Sequence, residues 1–285
     1  MKSMKIALAL GLAALALVGC APKEATMTFS LTDAPVDASN IKSVWVQVTG
    51  VAVHSGSKNA GKNDAGWESA TLSVPAEIDL LSLQDGLTQA LGQVVLEAGT
   101  TVQQIRLDLG YVKVEETGGT RKDATFNDET GLRINAHSFA VPLSGSASIV
   151  VDFDVRKSLV STNSGYKLKP VLRAVFEGEA GKISGAAPAS SDAARYLVYA
   201  YEPAKAAAIA GADPADVSGT YPVYGNAYTT AKVGDEGHYG LHYLDAGTYD
   251  IWLVAASDAT GTPLKIIPGV VVESGKTTSL DITLP

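Results

Sequence analysis

Apolar and polar residues alternate along several segments of the 285-residue chain. Four of these segments have apolar residues two positions apart: Met27, Phe29 and Leu31; Val44, Val46 and Val48; Ile105, Leu107 and Leu109; Ile149, Val151 and Phe153. A period of two, in segments bounded by Gly, Asn, Asp and Pro, is typical of strands with one buried face. The pattern therefore predicts β-structure along almost the whole chain.

Helical periodicity is confined to short segments. Leucines spaced four residues apart predict a helix over Ser82–Leu91, and a second short helix is expected over Arg156–Val160. Parallel α/β folds need many long crossover helices, and this pattern does not supply them. The predicted fold class is all-β: two tandem antiparallel β-sandwiches, immunoglobulin-like or transthyretin-like, with one or two short helices after an N-terminal signal peptide.

Composition suggests where the two sandwiches divide. Residues 178–193 are small and lack periodicity, which is typical of a linker. The predicted domains are therefore 26–177 and 194–285. An alanine-rich insertion at 206–219 within the second domain is a further candidate helix.

The amino-terminal segment has the features of an export signal. Residues 1–19 carry Lys2 and Lys5 and then an apolar run that is too short to cross a bilayer. The run ends in Leu17-Val18-Gly19-Cys20, which resembles the lipobox of bacterial lipoproteins. The alternative is an ordinary signal peptide with a chance cysteine.

The lipobox resemblance implies that the Cys20 thiol receives a diacylglyceryl group and that cleavage occurs before it. Residues 20–25 would then form a lipidated tether, and the membrane would be a partner through the acyl chains. The resemblance also implies an exported protein anchored to the cell envelope. Because Ala21, rather than aspartate, follows the cysteine, the expected site in a bacterium with two membranes is the outer membrane.

Charge and cysteine content exclude several classes of function. The formal charge is −8, and loss of the two lysines with residues 1–19 makes it −10. Such an acidic chain does not attract nucleic acid through its net field. Cys20 is the only cysteine, so its acylation leaves no thiol for disulfides, thiolate metal sites or cysteine nucleophiles. No cofactor is predicted.

Motifs for catalysis are missing from the sequence. It contains no Gly-x-Ser-x-Gly elbow, no His-Glu-x-x-His and no phosphate-cradling loop. The only histidines are His54, His137, His238 and His242. The prediction is a protein that is not an enzyme, although a triad assembled from distant positions stays open.

Two pairs of aspartates are candidates for calcium ligands. Asp33 and Asp37 flank a predicted turn, while Asp152 and Asp154 share one face of a predicted strand. Calcium needs six to eight oxygens, and neither pair supplies a full loop. The alternative is structural: Asp33 would cap a turn, and Asp154 would cap the short helix that contains Arg156.

One aromatic residue suggests contact with a glycan. If Tyr249, Ile251 and Leu253 point inward, Asp250 and Trp252 point outward, and His242 could lie nearby on a neighbouring strand. Trp252, His242 and Asp250 are therefore the candidate glycan contacts. The alternative is that Trp252 packs against the first domain or against the insertion.

Six segments within residues 26–177 resemble the bacterial lipoprotein family catalogued as domain of unknown function 4382. They are Leu31-Thr-Asp-Ala-Pro-Val-Asp37, 44–54, 78–86, 104–109, Val151-Asp-Phe-Asp154 and Tyr166-Lys-Leu-Lys-Pro-Val-Leu-Arg173. The resemblance implies an exported β-rich domain of unestablished activity. Residues 237–251, with Gly247-Thr-Tyr249, carry a second resemblance: residues of about 195–285 resemble the carboxypeptidase-regulatory-like, transthyretin-like sandwich, which implies a domain without catalysis.

Together these features predict a non-catalytic, lipid-anchored envelope protein with a binding or structural role, in contact with a glycan or another envelope protein. The alternative is a hydrolase of envelope polymers, or an accessory subunit of one. A deep polar cleft with a perturbed acid or histidine would favour the enzyme.

Overall fold

The computed structural model describes residues 23–33, 41–73, 77–127, 132–191, 194–204, 224, 227–257 and 262–285, without the side chains of 135–138. The signal segment, Cys20, Asp37 and the insertion at 206–219 lie outside the described residues. The chain is all-β, as predicted.

Two sheets form the amino-terminal body, which we define as residues 23–179. Its strands are β1 Glu24–Thr32, β2 Ile41–His54, β3 Trp67–Ser69, β4 Thr71–Leu72, β5 Ile78–Asp79, β6 Gln89–Glu97, β7 Thr101–Glu116, β8 Arg121–Thr125, β9 Leu132–Ala140, β10 Ser146–Phe153, β11 Leu159–Thr162, β12 Gly165–Leu168 and β13 Leu172–Phe176. One sheet has the order β13-β10-β1-β6-β4. The other has the order β11-β12-β8-β7-β2-β3, with β5 on β2 and β9 on β7.

A single hydrophobic core lies between these sheets. It contains all four of the alternating apolar sets on which the strand prediction rested, and Met27, Leu31, Ile105 and Phe153 are almost fully buried. Alternation therefore located both the strands and their buried faces correctly, because successive side chains of a strand point to opposite sides.

The sheets are mixed, which differs from the purely antiparallel arrangement expected. β1 pairs in parallel with β10, and β8 pairs in parallel with β12. Parallel neighbours need a long connection, and here the chain passes through both sheets between β1 and β10. Because β1 and β10 run in the same direction, their carboxyl ends meet at one edge of the body.

The two helix predictions had opposite outcomes. The helix expected over Ser82–Leu91 is wrong: Leu80–Leu83 is a short 3-10 turn, and β6 begins at Gln89. The regular leucine spacing there spans a turn and a strand, whose buried residues are Leu80, Leu83 and Leu91. The second helix is present as α1, Val155–Ser158, but it ends two residues before the predicted end, because β11 begins at Leu159.

The carboxy-terminal body, which we define as residues 181–285, contains two smaller sheets. Its strands are β14 Gly181–Ala186, β15 Tyr196–Tyr201, β16 Thr229–Lys232, β17 His238–Leu244, β18 Gly247–Ala255, β19 Lys265–Val272 and β20 Thr277–Ser279. The sheet orders are β17-β14-β20 and β16-β15-β18-β19.

The linker predicted at 178–193 needs correction. β14 lies inside that range and is the central strand of its sheet, antiparallel to β17 and parallel to β20. Ile183 is completely buried in the second core. The small residues Gly181 and Gly185 reflect close packing instead of flexibility, because a Cβ on Gly185 would lie 2.0 Å from the Leu280 carbonyl oxygen.

β18 has two buried faces. Tyr249, Ile251 and Leu253 join the core between the two small sheets, while Trp252 and Val254 join a separate aromatic cluster on the other side. Within the described part of the chain, no helix is long and apolar enough to cross a membrane.

Candidate functional site: a buried charge cluster between the two bodies

Three carboxylates meet at the edge where β1 and β10 end. Thr32 of β1 is in register with Asp152 of β10, so Asp33, the next residue after Thr32, lies beside the end of β10. Asp33, Asp152 and Asp154 are all buried, at 3%, 3% and 5% exposed. Buried carboxylates are rare unless cations or hydrogen-bond donors accompany them.

Strand register supplies the partner of Asp152. Asp152 lies directly opposite Arg173 of β13, and the guanidinium Nε and Nη2 both donate to the same carboxylate oxygen at 2.8 and 2.7 Å. Burial alone would lower the pKa of Arg173, but the carboxylate of Asp152 outweighs it and raises that pKa, so the guanidinium stays charged.

Asp154 begins α1. Its carboxylate accepts the Lys157 amide at 3.1 Å, as a helix N-cap does, and lies 3.1 Å from Lys157 Nζ and 3.4 Å from Arg156 Nη2. Burial opposes ionisation, yet Arg156 and Lys157 outweigh it and lower the pKa of Asp154. The capping role that the sequence offered as an alternative to calcium is thus the one observed.

Asp33 has a different environment. Its carboxylate oxygens accept the Val155 amide at 3.0 Å and Gln84 Nε2 at 3.4 Å. Burial raises its pKa well above the ordinary value, and the neighbouring charges of Asp152 and Asp154 raise it further. Asp33 therefore ties β1 to the start of α1. The turn that it was expected to cap lies outside the described residues.

Each of the three cations also reaches across to the carboxy-terminal body. Arg156 donates to the Tyr224 carbonyl oxygen, Lys157 Nζ donates to the Ala227 carbonyl oxygen at 2.5 Å, and Arg173 donates to the Tyr243 carbonyl oxygen. Both guanidinium groups also lie over tyrosine rings, that of Arg156 5.4 Å from the Tyr199 centroid and that of Arg173 4.6 Å from the Tyr228 centroid.

A second contact joins the loop after the 3-10 turn to β16 and β17. The Tyr243 hydroxyl donates to the Gly86 carbonyl oxygen at 2.8 Å, and Lys232 Nζ donates to Gln84 Oε1 at 2.8 Å. The His242 ring packs so closely here that a Cβ on Gly86 would lie 2.3 Å from its Nδ1.

Backbone strain is concentrated at the same contact. Asp85 and Tyr243 are the non-glycine residues with positive φ in the described chain, at 58° and 55°. Such conformations persist only where the surrounding structure holds them, so the contact between the bodies is specific in geometry.

The predicted glycan platform does not form. Trp252 is only 6% exposed and packs against Tyr201 with ring centroids 4.8 Å apart. β17 and β18 belong to different sheets, so His242 is not beside Trp252. Asp250 accepts the Gly269 amide at 2.9 Å. The outward direction assigned to Trp252 was right, but the aromatic cluster covers that face of the sheet.

The calcium candidates are likewise engaged within the protein. The structure gives Asp152 and Asp154 cation partners and leaves Asp37 outside the described residues. Across the part of the chain that is described, no group of three or more His, Cys, Asp or Glu side chains is arranged to hold a metal ion.

A small polar cavity lies between the bodies, bordered by Asp33, Asp152, Arg173 and His242. Its volume of about 10 Å³ is enough for roughly one water molecule. Burial, together with Lys182, lowers the pKa of His242 to about 4, so this imidazole is neutral at pH 7. The cavity therefore contains perturbed acids and a histidine but no room for a polymer.

A wider groove of about 540 Å³ opens beside the interface. Phe139 and Phe176 contribute apolar surface, with ring centroids 5.8 Å apart, and Lys58, Glu179 and Asp245 contribute charged groups. The sequence analysis predicted neither this groove nor the charge cluster. The residues of the cluster could have been noticed, because its aspartates and Arg173 lie in the segments on which the family resemblance rests.

Comparison with known proteins gives a family match and remote structural likenesses. The family described as Domain of unknown function (DUF4382) matches residues 24–170, just over half of the chain. No curated protein matches the chain significantly.

The similar solved structures include two bacterial pilins and a module of family CBM26. The minor pilin GBS52 of Streptococcus agalactiae is 11% identical, with 90% of this chain and 95% of that chain covered and a TM-score of 0.23. The major pilin BcpA of Bacillus cereus is 10% identical, with 92% and 70% covered and a TM-score of 0.22. A family CBM26 module of Eubacterium rectale Amy13K, solved with maltoheptaose, is 14% identical, with 90% and 91% covered and a TM-score of 0.22.

Proposed function

The chain belongs to the DUF4382 family, and from that premise we propose that it is a non-catalytic, lipid-anchored protein of the cell envelope. In this proposal the family domain is the base and the carboxy-terminal body, a carboxypeptidase-regulatory-like sandwich, is the part presented to a partner. The partner class is a glycan or another envelope protein. The anchor is the acylated Cys20, on the outer membrane where the organism has two.

The charge cluster is the observation that supports a structural role for the family domain. Arg156, Lys157 and Arg173 each pair with a buried carboxylate of the first body and donate to a backbone carbonyl of the second. Catalytic acids must be accessible to substrate. Here Asp152 and Asp154 border a space of about 190 Å³, but they are only 3% and 5% exposed and are paired with cations that hold the two bodies together.

The anchor is tested by Cys20→Ser. We expect wild-type protein to partition into the detergent phase and to yield an acylated amino-terminal peptide, because two or three acyl chains bind membranes stably. The variant should remain an unprocessed precursor without lipid. A wild-type protein that stays in the aqueous phase would contradict the anchor.

The non-catalytic role is tested separately with purified peptidoglycan and envelope polysaccharides. We expect no release of soluble fragments by the wild-type protein. Release that is lost in Asp33→Asn or Asp152→Asn, but retained in the exposed control Asp235→Asn, would establish the hydrolase alternative instead.

A further inference from the structure

We infer that the loop tip carrying Leu143 contacts the lipid surface beside the anchor. This tip is then the part of the amino-terminal body that touches the membrane. Leu143 is 74% exposed and is the most exposed of the large apolar residues in the described chain. A single exposed leucine is ordinary on a protein surface. The position of this one relative to the start of β1 is what gives it significance.

Backbone hydrogen bonds connect the loop tip to the first described residue. The Ala98 amide donates to the Lys23 carbonyl oxygen at 2.7 Å, and the Gly99 amide donates to the Val141 carbonyl oxygen at 3.0 Å. At Gly99 itself, a Cβ would lie 3.5 Å from Leu143 Cδ2. Lys23, the turn at 98–100 and the loop at 141–145 thus form one end of the body, which we call the anchor end.

The length of the tether between Cys20 and Lys23 limits the distance between the anchor end and the lipid. Only Ala21 and Pro22 separate Cys20 from Lys23, and three Cα steps span at most about 11 Å. This inference rests on the proposed acylation of Cys20. If the acyl chains of Cys20 lie in the bilayer, the anchor end is at the headgroup region whatever path the tether takes.

The charge cluster lies at the opposite end of β1. β1 runs from Glu24 at the anchor end to Thr32 beside the charge cluster, a length of about 26 Å at 3.3 Å per residue. The cations of the charge cluster contact the carboxy-terminal body at this far end of β1 and β10. The anchor end is therefore the part of the described structure that the tether brings to the membrane.

Charge at the anchor end favours an apolar contact over an electrostatic one. Lys23 is exposed, but Glu24 and Glu97 are exposed beside it and in register with each other. No excess of positive charge is available there to attract anionic headgroups. Val95, which is 49% exposed and pairs with Thr26, is a second exposed apolar residue towards this end of the body.

The experiment uses the lipidated full chain, in which the acylated Cys20 leaves no other thiol. Leu143→Cys is labelled with an environment-sensitive fluorophore, and Leu264→Cys, at an exposed leucine of the other body, is the matched control. Both proteins are reconstituted into vesicles of phosphatidylethanolamine and phosphatidylglycerol, with lipids that carry a quencher just below the headgroup. Mass spectrometry of the amino-terminal peptide verifies acylation of each preparation.

We expect emission from position 143 to shift to shorter wavelength and to be quenched, with both effects persisting in high salt, while position 264 shows neither. If acylated protein shows water-like emission at 143, or equal quenching at 143 and 264, the inference is wrong and the anchor stands. If Cys20 carries no lipid in the wild-type protein, the anchor and the inference fail together.

Discussion

Asp33 is the residue whose ionisation the fold opposes most clearly. In the unfolded chain its carboxyl ionises near 3.8, whereas burial and the neighbouring aspartates hold its folded pKa well above that value. Between these two pKa values the folded state binds more protons than the unfolded state. Stability therefore falls as pH rises through this window, because the folded state retains a proton that the unfolded state releases.

Replacing this carboxyl with an amide should stabilise the protein. In Asp33→Asn the side-chain oxygen can still accept the Val155 amide, and no charge has to be buried. We expect the variant to gain free energy of unfolding relative to wild type, with a gain that is small near pH 4 and grows towards neutral pH. Urea melts across this range measure it. Asp235→Asn, at an exposed turn, should show no such trend, and a loss of stability at neutral pH in Asp33→Asn would contradict the assignment.

At the scale of the element, β18 shows how a strand with two buried faces differs from its sequence pattern. Tyr249 and Ile251 face one core and Trp252 faces another. Truncating a buried aromatic residue to alanine costs about 3–5 kcal/mol. We therefore expect Trp252→Ala to destabilise the carboxy-terminal body by about that amount in thermal or urea melts.

The cross-strand neighbour of Trp252 provides the matched control. Ile266 of β19 pairs with Trp252 but is 46% exposed, so Ile266→Ala should destabilise by only about 1 kcal/mol. Equal effects of the two substitutions would show that Trp252 is no more buried than its partner. That outcome would reopen the interpretation of Trp252 as a surface residue.

The same strand marks the limit of what the sequence could predict. Alternation gives the side of a strand to which a residue points, so the opposite facing of Ile251 and Trp252 was predictable. Alternation does not reveal what covers each side, because the covering residues, such as Tyr201 and Tyr224, come from distant parts of the chain. The charge cluster escaped prediction for the same reason: Asp33 and Asp152 are neighbours only through a parallel pairing of strands more than one hundred residues apart.

For the whole molecule, the charge cluster couples the stabilities of the two bodies. Interfaces between domains of one chain often permit relative motion. Here three cations that bridge the bodies, together with two strained residues, fix a single arrangement. We therefore expect the wild-type chain to unfold in one calorimetric transition, even though each body has its own core.

Arg173→Met tests this coupling, because it leaves Asp152 buried without its partner and removes the hydrogen bond to Tyr243. Breaking a buried ion pair by removing one partner costs about 3–5 kcal/mol. The single transition should move to lower temperature and divide into two as the bodies uncouple. Arg121→Met removes an exposed cation that pairs with Glu115 and Glu77, for which about 0–1 kcal/mol is expected, with the single transition retained. If Arg173→Met melts like Arg121→Met, the cluster does not couple the bodies, and its burial needs another explanation.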